Sequence, residues 1–189
     1  SYYLLKEQKA GVDPLGPENK LLFMSSVISG APLMGLTRYT VAARSPLTGA
    51  FGEAEAGGFF GPELKMAGFD GVIVEGRSAK PVYLWIKDGQ AEIRDASKIW
   101  GKDTGEAEKL IREELGDNRI RVAQCGPAGE KRVRFVGAVG RRVFQRADDG
   151  LAAGNEVADL GGDLLRQSEP ALPRDVLAKR YEMNLIILR

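Results

Sequence analysis

Histidine is absent from this chain, and cysteine occurs once, at Cys125. Without histidine there is no Ser-His-Asp triad, no Cys-His pair and no His-ligated zinc or haem. A single cysteine excludes an internal disulfide and any iron–sulfur cluster held by this chain alone. An excess of either charge is also missing: 27 Lys and Arg against 26 Asp and Glu leave a formal charge of +1. That balance argues against a general binder of nucleic acid or anionic membrane, because both partners demand a basic surface. No apolar stretch approaches the roughly 18–20 residues of a membrane span, and no secretory-signal pattern opens the chain. A reducing cytoplasm is therefore the default expectation. What is abundant is glycine, 24 of 189 residues, about twice the usual share. Such a chain works largely through its backbone, or works beside another chain.

The length suits one large domain or two small ones. Tyr2–Glu7 reads like the end of a helix, which makes a start inside a longer protein the expectation. The run GVDPLGPEN, residues 11–19, is a loop dense in turn formers. Strands are predicted at Lys20–Met24 and Arg38–Ala43, separated by the loop SGAPLMGLT. The Gly-rich passage SPLTGAFGEAEAGGFFG carries no strand assignment. A short helix follows over Pro62–Ala67, with proline at its first position and Gly68 as its stop. Phe69–Gly76 is an apolar strand, and Pro81–Ile86 with Ala91–Asp95 form a hairpin about Asp88-Gly89. Thr104 is the expected cap of a helix over Glu106–Leu115, whose charges form a solvated face and which stops at Gly116. Ile120–Ala123 is a strand leading into the turn CGPAG, and Arg132–Val136 is another strand.

Strands mixed with hairpins and few helices predict α+β rather than a regular βαβ alternation. Lys20–Met24 with Gly30, Pro32 and Arg38 is weakly echoed by Arg119–Ala123 with Gly126, Pro127 and Arg134. The echo fits either two copies of one unit or chance. After Arg141 strand patterning fades, Ser168–Pro173 reads as a linker, and Asp175–Arg189 is a candidate helix ending in apolar residues that want a partner surface.

Three places have the residue types for chemistry. In EAGGFFGPELK, glycines stand just before a helix, where backbone N–H groups can approach a phosphate or anionic cofactor. The motif is neither a Walker A loop nor GxGxxG, and alone it favours an ordinary strand–helix turn. Arg38 follows a Gly-bearing loop, where a guanidinium can clamp a phosphate or a planar acceptor-rich ring; in isolation a surface salt bridge is the simpler role. Cys125 could ligate a metal only with another chain's help, and a small buried residue is its simpler reading. Phe59-Phe60 and Trp85 are most simply core.

The segments GVDPLGPENKLLF, TRYTVAARSPLTG, AGGFFGPELKMAGFDGVIVEG, KPVYLWIKDGQAEIRDASKIWGKDT and CGPAGEKRVRF occur in this order without gaps. Together they resemble the amino-terminal domain of tungsten-containing aldehyde ferredoxin oxidoreductases, over about Leu4 to Val136. The family's opening segment is absent. The resemblance implies two mixed β-sheets with a few helices and a pseudo-twofold repeat. It also implies a bis-pterin tungsten (or molybdenum) cofactor, a Mg2+ ion bridging the pterin phosphates and, in the complete enzyme, a 4Fe–4S cluster. Family members oxidise aldehydes to carboxylic acids with water as oxygen source and pass two electrons to ferredoxin.

By resemblance Arg38 contacts a pterin. Ala56, Gly57 and Gly58 belong to the first pterin loop, and Gly126, Pro127 and Gly129 to the equivalent turn of the second half. The backbone carbonyl of Glu55 is at the Mg2+ position, where the family usually has asparagine. No residue of this chain is expected to be catalytic, and cluster-bearing domains or another subunit would have to complete it. A homo-oligomer is compatible with this reading. The expected division is a cofactor domain over 4–140 and a divergent tail over 141–189.

The departures lie in that tail. Asp148-Asp149 occupy the place of a glycine-rich second phosphate loop, and carboxylates there would repel a phosphate. The tail motivates an alternative of another class: a non-catalytic binding or assembly protein that kept the fold and lost the cofactor. An unrelated nucleotide-binding module, resting on the glycine loops only, is a third.

Overall fold

The computed structural model describes residues 2–131 and the backbone of four later strand segments. In chain order the elements are α1 (Tyr2–Glu7), β1 (Leu21–Ser25), β2 (Tyr39–Arg44), β3 (Phe51–Ala56), α2 (Phe60–Met66), β4 (Gly71–Glu75), β5 (Val82–Lys87), β6 (Gln90–Asp95), α3 (Thr104–Leu115), β7 (Arg121–Gln124) and α4 (Gly126–Glu130). The later segments are β8 (Gly137–Gly140), β9 (Ala158–Asp159), β10 (Leu164–Leu165) and β11 (Met183–Leu188). Two sheets result, of order β10-β4-β1-β2-β3 and β6-β5-β11-β7-β8-β9. The first is antiparallel throughout. The second is mixed, because β11 runs parallel to β5 and antiparallel to β7. This is the expected α+β, two-sheet class.

Period-two alternation of side chains sets the layers. Along β2, Tyr39, Val41 and Ala43 face the core between the sheets, while Ala42 faces outward toward Leu4 of α1. In β1 and β4, Phe23, Val72 and Val74 point inward, and Leu22 and Ile73 point outward. From the second sheet Val82, Leu84, Ile86 and Ala123 join the same inner core. Tyr83 and Val122 take the opposite face, where α3 covers them with Ala107 and Ile111. Helix α2 lies within the inner core through Phe60, Leu64 and Ala67. Each such large side chain contributes roughly 1.5–3 kcal/mol of burial.

The loop before β1 is tied down by buried Asn19, whose amide donates to the carbonyls of Pro14 and Arg44 and accepts from Arg44 N–H. Buried Lys20 is ion-paired with Glu75 and, at 3.4 Å, with Glu7. The hairpin turn at Asp88-Gly89 has positive φ at both residues, the type I′ geometry that suits a right-twisted ribbon.

Several expectations are corrected. The Gly-rich passage contains a full strand, β3, because Gly52, Ala54 and Ala56 form its inward face and Phe51, Glu53 and Glu55 its exposed one. Its inward residues are too small to announce a strand. Helix α2 begins at Phe60, so Pro62 is its third residue, within the first turn where no intrahelical N–H is needed. Helix α3 is capped by Asp103, whose carboxylate accepts from Gly105 and Glu106 N–H, and Thr104 is already helical. One carboxylate on that helix, Glu108, is buried and pairs with Arg112 rather than facing solvent.

The turn CGPAG is a short helix, α4, with proline in its first turn. Met183–Leu188 forms strand β11 rather than the end of a helix, an aliphatic run that fills the gap between β5 and β7. The strand expected at Arg132–Val136, Arg134 of the internal echo, the linker at Ser168–Pro173 and the Asp148-Asp149 pair lie outside the described residues. Among the described residues no helix is long and apolar enough to cross a membrane.

Candidate functional site

Strands β2 and β3 place the first group of predicted residues. Their antiparallel register sets Thr40 opposite Glu55 and Tyr39 opposite Ala56. Arg38, immediately before β2, therefore reaches Glu55 on the neighbouring strand: its Nη1 donates to Glu55 Oε2 at 3.0 Å. Both side chains are open to solvent, 60% for Arg38 and 50% for Glu55. Glu53, two residues before Glu55, is exposed on the same face of β3.

The chain leaves β3 through Gly57 and Gly58, and Gly58 has φ +89°, a conformation that a side chain strains. Among the described residues, a Cβ at Gly57 would meet only Thr37 Oγ1, at 3.8 Å, so on their side the backbone is open to close approach. At Gly61 the case is reversed. A Cβ there would lie 3.1 Å from Thr37 O and 3.3 Å from Arg38 O, so glycine lets α2 press directly on the backbone that carries Arg38.

The two phenylalanines before and within α2 look in different directions. Phe60 is buried, its ring centroid 4.8 Å from Tyr39 and 6.0 Å from Phe23. Burial pushes the Tyr39 phenol up to about 12. Phe59, still 45% exposed, lies under Arg121 of β7, whose guanidinium carbon is 4.4 Å from the ring centroid. Arg121 Nε is buried with no hydrogen-bond partner among the described residues. This stacking ties the Gly57-Gly58 turn to the second sheet. Sequence reasoning missed it, and the doubled phenylalanine was the only available signal.

The second predicted group, Gly126, Pro127 and Gly129, lies in α4. Gly126 has φ +61°, and a Cβ there would be 2.9 Å from Thr104 Cγ2. Gln124 Nε2 donates to Thr104 O at 2.8 Å, and the Glu130 carboxylate accepts from Gly101 N–H. These contacts lock α4 against the start of α3. The adjoining crevice, bounded by Val82, Ile99, Trp100 and Gly126, has a volume of only about 20 Å3, room for about one water. The structure thus brings Arg38, Glu55, Ala56, Gly57 and Gly58 together. Gly126, Pro127 and Gly129 follow the far end of β7 from Arg121 and do not join that cluster. Cys125, predicted buried, is half-buried.

The fold is an α+β domain of two facing sheets, and its exposed arginine beside an open glycine turn has the donor chemistry that suits an anionic ligand. Comparison with known proteins is more specific. Residues 1–156 match the family model described as "Aldehyde ferredoxin oxidoreductase, N-terminal domain", and the chain belongs to this family.

Among curated proteins it is 43% identical, over 94% of its length, to the tungsten-containing aldehyde ferredoxin oxidoreductase of Pyrococcus abyssi. It is 46% identical, over 82% of its length, to that of Pyrococcus furiosus. A more distant relative is the aliphatic sulfonate oxidoreductase, WOR-like subunit, of Pyrococcus furiosus, at 32%. Among solved structures it superposes on the active-site complex BamBC of benzoyl coenzyme A reductase in complex with 1,5-dienoyl-CoA. There the TM-score is 0.78 and the identity 31%, over 100% of this chain and 25% of that one. The chain spans about a third or less of the curated relatives, 32% of the Pyrococcus abyssi protein and 26% of the Pyrococcus furiosus protein.

A tungsten-containing family implies a tungsten cofactor. The open backbone at Gly57, the positive φ of Gly58 and the exposed guanidinium of Arg38 fit a phosphate-bearing, planar group. A 4Fe–4S cluster does not fit, since Cys125 is the chain's one thiol. Among the described residues no three His, Cys, Asp or Glu side chains converge on a metal position.

Proposed function

We propose that this chain is the cofactor-seating part of a tungsten-containing aldehyde ferredoxin oxidoreductase. The complete enzyme oxidises an aldehyde with water to a carboxylic acid and delivers the electrons to ferredoxin in the cytoplasm. The observation that carries the reading is Arg38 standing at the open Gly57-Gly58 turn in a chain that belongs to this family.

When bound, the tungsten (or molybdenum) bis-pterin supplies the redox centre. The chain's own residues bind and orient it. Arg38 donates to phosphate or pterin-ring acceptors, which a planar fork of N–H groups suits. Ala56, Gly57 and Gly58 offer backbone N–H groups with no side chain in the way at the two glycines. Gly126, Pro127 and Gly129 serve the second half of the cofactor from α4. The backbone carbonyl of Glu55 would hold a Mg2+ ion that accompanies the cofactor's phosphates and offsets their charge. Cluster, proton-handling groups and substrate pocket come from elsewhere in the enzyme.

Metal analysis of the chain purified from a tungstate-supplied host tests this. Stoichiometric tungsten with pterin fluorescence is expected; the absence of both favours the alternative, a scaffold without cofactor, which the acidic Asp148-Asp149 pair supports. The same preparation is expected to show no viologen reduction with crotonaldehyde, because one thiol cannot hold the electron-transferring cluster.

A further inference from the structure

The ladder pairs of β2 end at Tyr39 on both sides, opposite Ser25 of β1 and Ala56 of β3. Arg38 therefore stands just outside the ladder, at the close of the 26–37 loop. That loop exposes Val27, Ile28, Leu33 and Met34, yet Ser29 within it is only 5% exposed. A buried hydroxyl needs hydrogen-bond partners, and Ser29 finds them at the root of Arg38. Its Oγ donates to the carbonyl of Arg38 at 3.2 Å and accepts from Ser26 N–H at 3.0 Å, with the Ser26 hydroxyl 3.1 Å away. Ser29 N–H donates to Ser26 O, and Gly30 N–H donates to Leu36 O across the neck of the loop. On the other side Gly61 brings α2 so near that an added Cβ would lie 3.3 Å from the same Arg38 oxygen.

The direction of a carbonyl reports the ψ angle of its own residue, because the peptide unit is planar. With Tyr39 fixed in the ladder, that angle decides where the Cα–Cβ bond of Arg38 points. A small rotation there becomes a large displacement at the end of a long side chain. We propose that Ser29 is a positioning residue for Arg38: by holding the Arg38 carbonyl, its hydroxyl aims the guanidinium at the Gly57-Gly58 turn. This rests on the cradle reading above and adds to it a residue that touches no ligand. It also accounts for a buried serine in a loop whose neighbouring side chains face solvent.

The test is a double-mutant cycle, measured by calorimetric titration of the full 189-residue chain with inorganic pyrophosphate and paired with urea denaturation of each protein. Ser29→Ala is expected to weaken binding about fivefold, the scale of one neutral hydrogen bond, and Ser29→Thr, which keeps the hydroxyl, to bind within about twofold of the wild type. In an Arg38→Gln background, Ser29→Ala is expected to change affinity by less than about twofold, because the group through which it acts is gone. Equal losses in the two backgrounds, or lowered stability with unchanged affinity, overturn the positioning role and leave the cradle standing. Arg38→Gln binding as tightly as the wild type, or no pyrophosphate binding by the wild-type chain, overturns the cradle reading and the positioning role with it.

Discussion

At the scale of single residues, close contact and backbone conformation matter more than exposed charge. The Arg38–Glu55 pair is open to water, and such pairs contribute little to stability, about 0–1 kcal/mol. Gly126 is the opposite case. Its φ of +61° is unfavourable for other residues, and a Cβ there would press to 2.9 Å on Thr104 Cγ2. Gly126→Ala should therefore destabilise the chain by about 1–3 kcal/mol through backbone strain and overpacking together. Adding Thr104→Ser removes the opposing methyl and should recover part of that loss, leaving the conformational part. Urea denaturation of the wild type, the single variants and the double variant measures both. Strictly additive losses would mean that the Thr104 contact is not the cause.

At the scale of elements, α3 illustrates how a small side chain sets a boundary. Asp103 accepts from Gly105 N–H at 2.8 Å and from Glu106 N–H at 2.9 Å, satisfying donors that the helix leaves without partners. Asp103→Ala should cost about 1 kcal/mol in chemical denaturation, whereas removing only the Thr104 hydroxyl should cost a few tenths. The reverse order would return the cap to Thr104. The sequence alone favoured Thr104 because both residue types cap helices and the boundary shifts by one.

Strands β1, β2, β4, β5, β6 and β7 were legible because most alternate large apolar residues with others, and the β5–β6 turn has its Asp-Gly signature. Strand β3 was not, since glycine and alanine occupy its inward positions. That gap explains what stayed hidden at the site. Arg38 and the Gly57-Gly58 turn stand out in one dimension, but the Arg38–Glu55 contact exists only through the β2–β3 register. The stacking of Arg121 on Phe59 depends on how the two sheets face each other, which no local pattern encodes.

At the scale of the whole molecule, two tyrosines link stability to alkaline pH. Tyr39, buried in the inner core, and Tyr83, desolvated beside α3 with its hydroxyl donating to Glu114 at 2.7 Å, are both pushed up to about 12 from the usual 10.0. A raised folded-state value means the folded chain keeps protons that the unfolded chain releases. Their contribution is thus complete below about pH 10 and is lost as pH rises toward 12, with a slope of up to about 1.4 kcal/mol per pH unit for the buried Tyr39. Urea midpoints should fall over this window, and Tyr39→Phe and Tyr83→Phe should each flatten the fall, since both side chains are buried. Midpoints that track no change between pH 10 and 12 would sink the linkage.

The second sheet depends on a strand that comes from the end of the chain. β11 pairs with β5 on one side, with Ile187 opposite Trp85, and with β7 on the other, with Ile187 opposite Val122. The inner core and the α3 layer both draw residues from β5 and β7, so separating these strands loosens both at once. The first sheet does not share this dependence: β1 is held by β2 and β4 through registers wholly within residues 21–74. A chain ending at Glu182 should therefore lose amide protection along one side of β5 and β7 while β1 and β2 keep theirs, a pattern that hydrogen exchange resolves by segment. Protection of β6 should fall less, because its pairing with β5 runs from Val82–Asp95 to Lys87–Gln90 without β11. Unchanged exchange at Leu84 and Val122 would show that the sheet closes without its last strand. Protection lost evenly across both sheets would make the two layers one cooperative unit, joined through α2 and the Arg121–Phe59 contact.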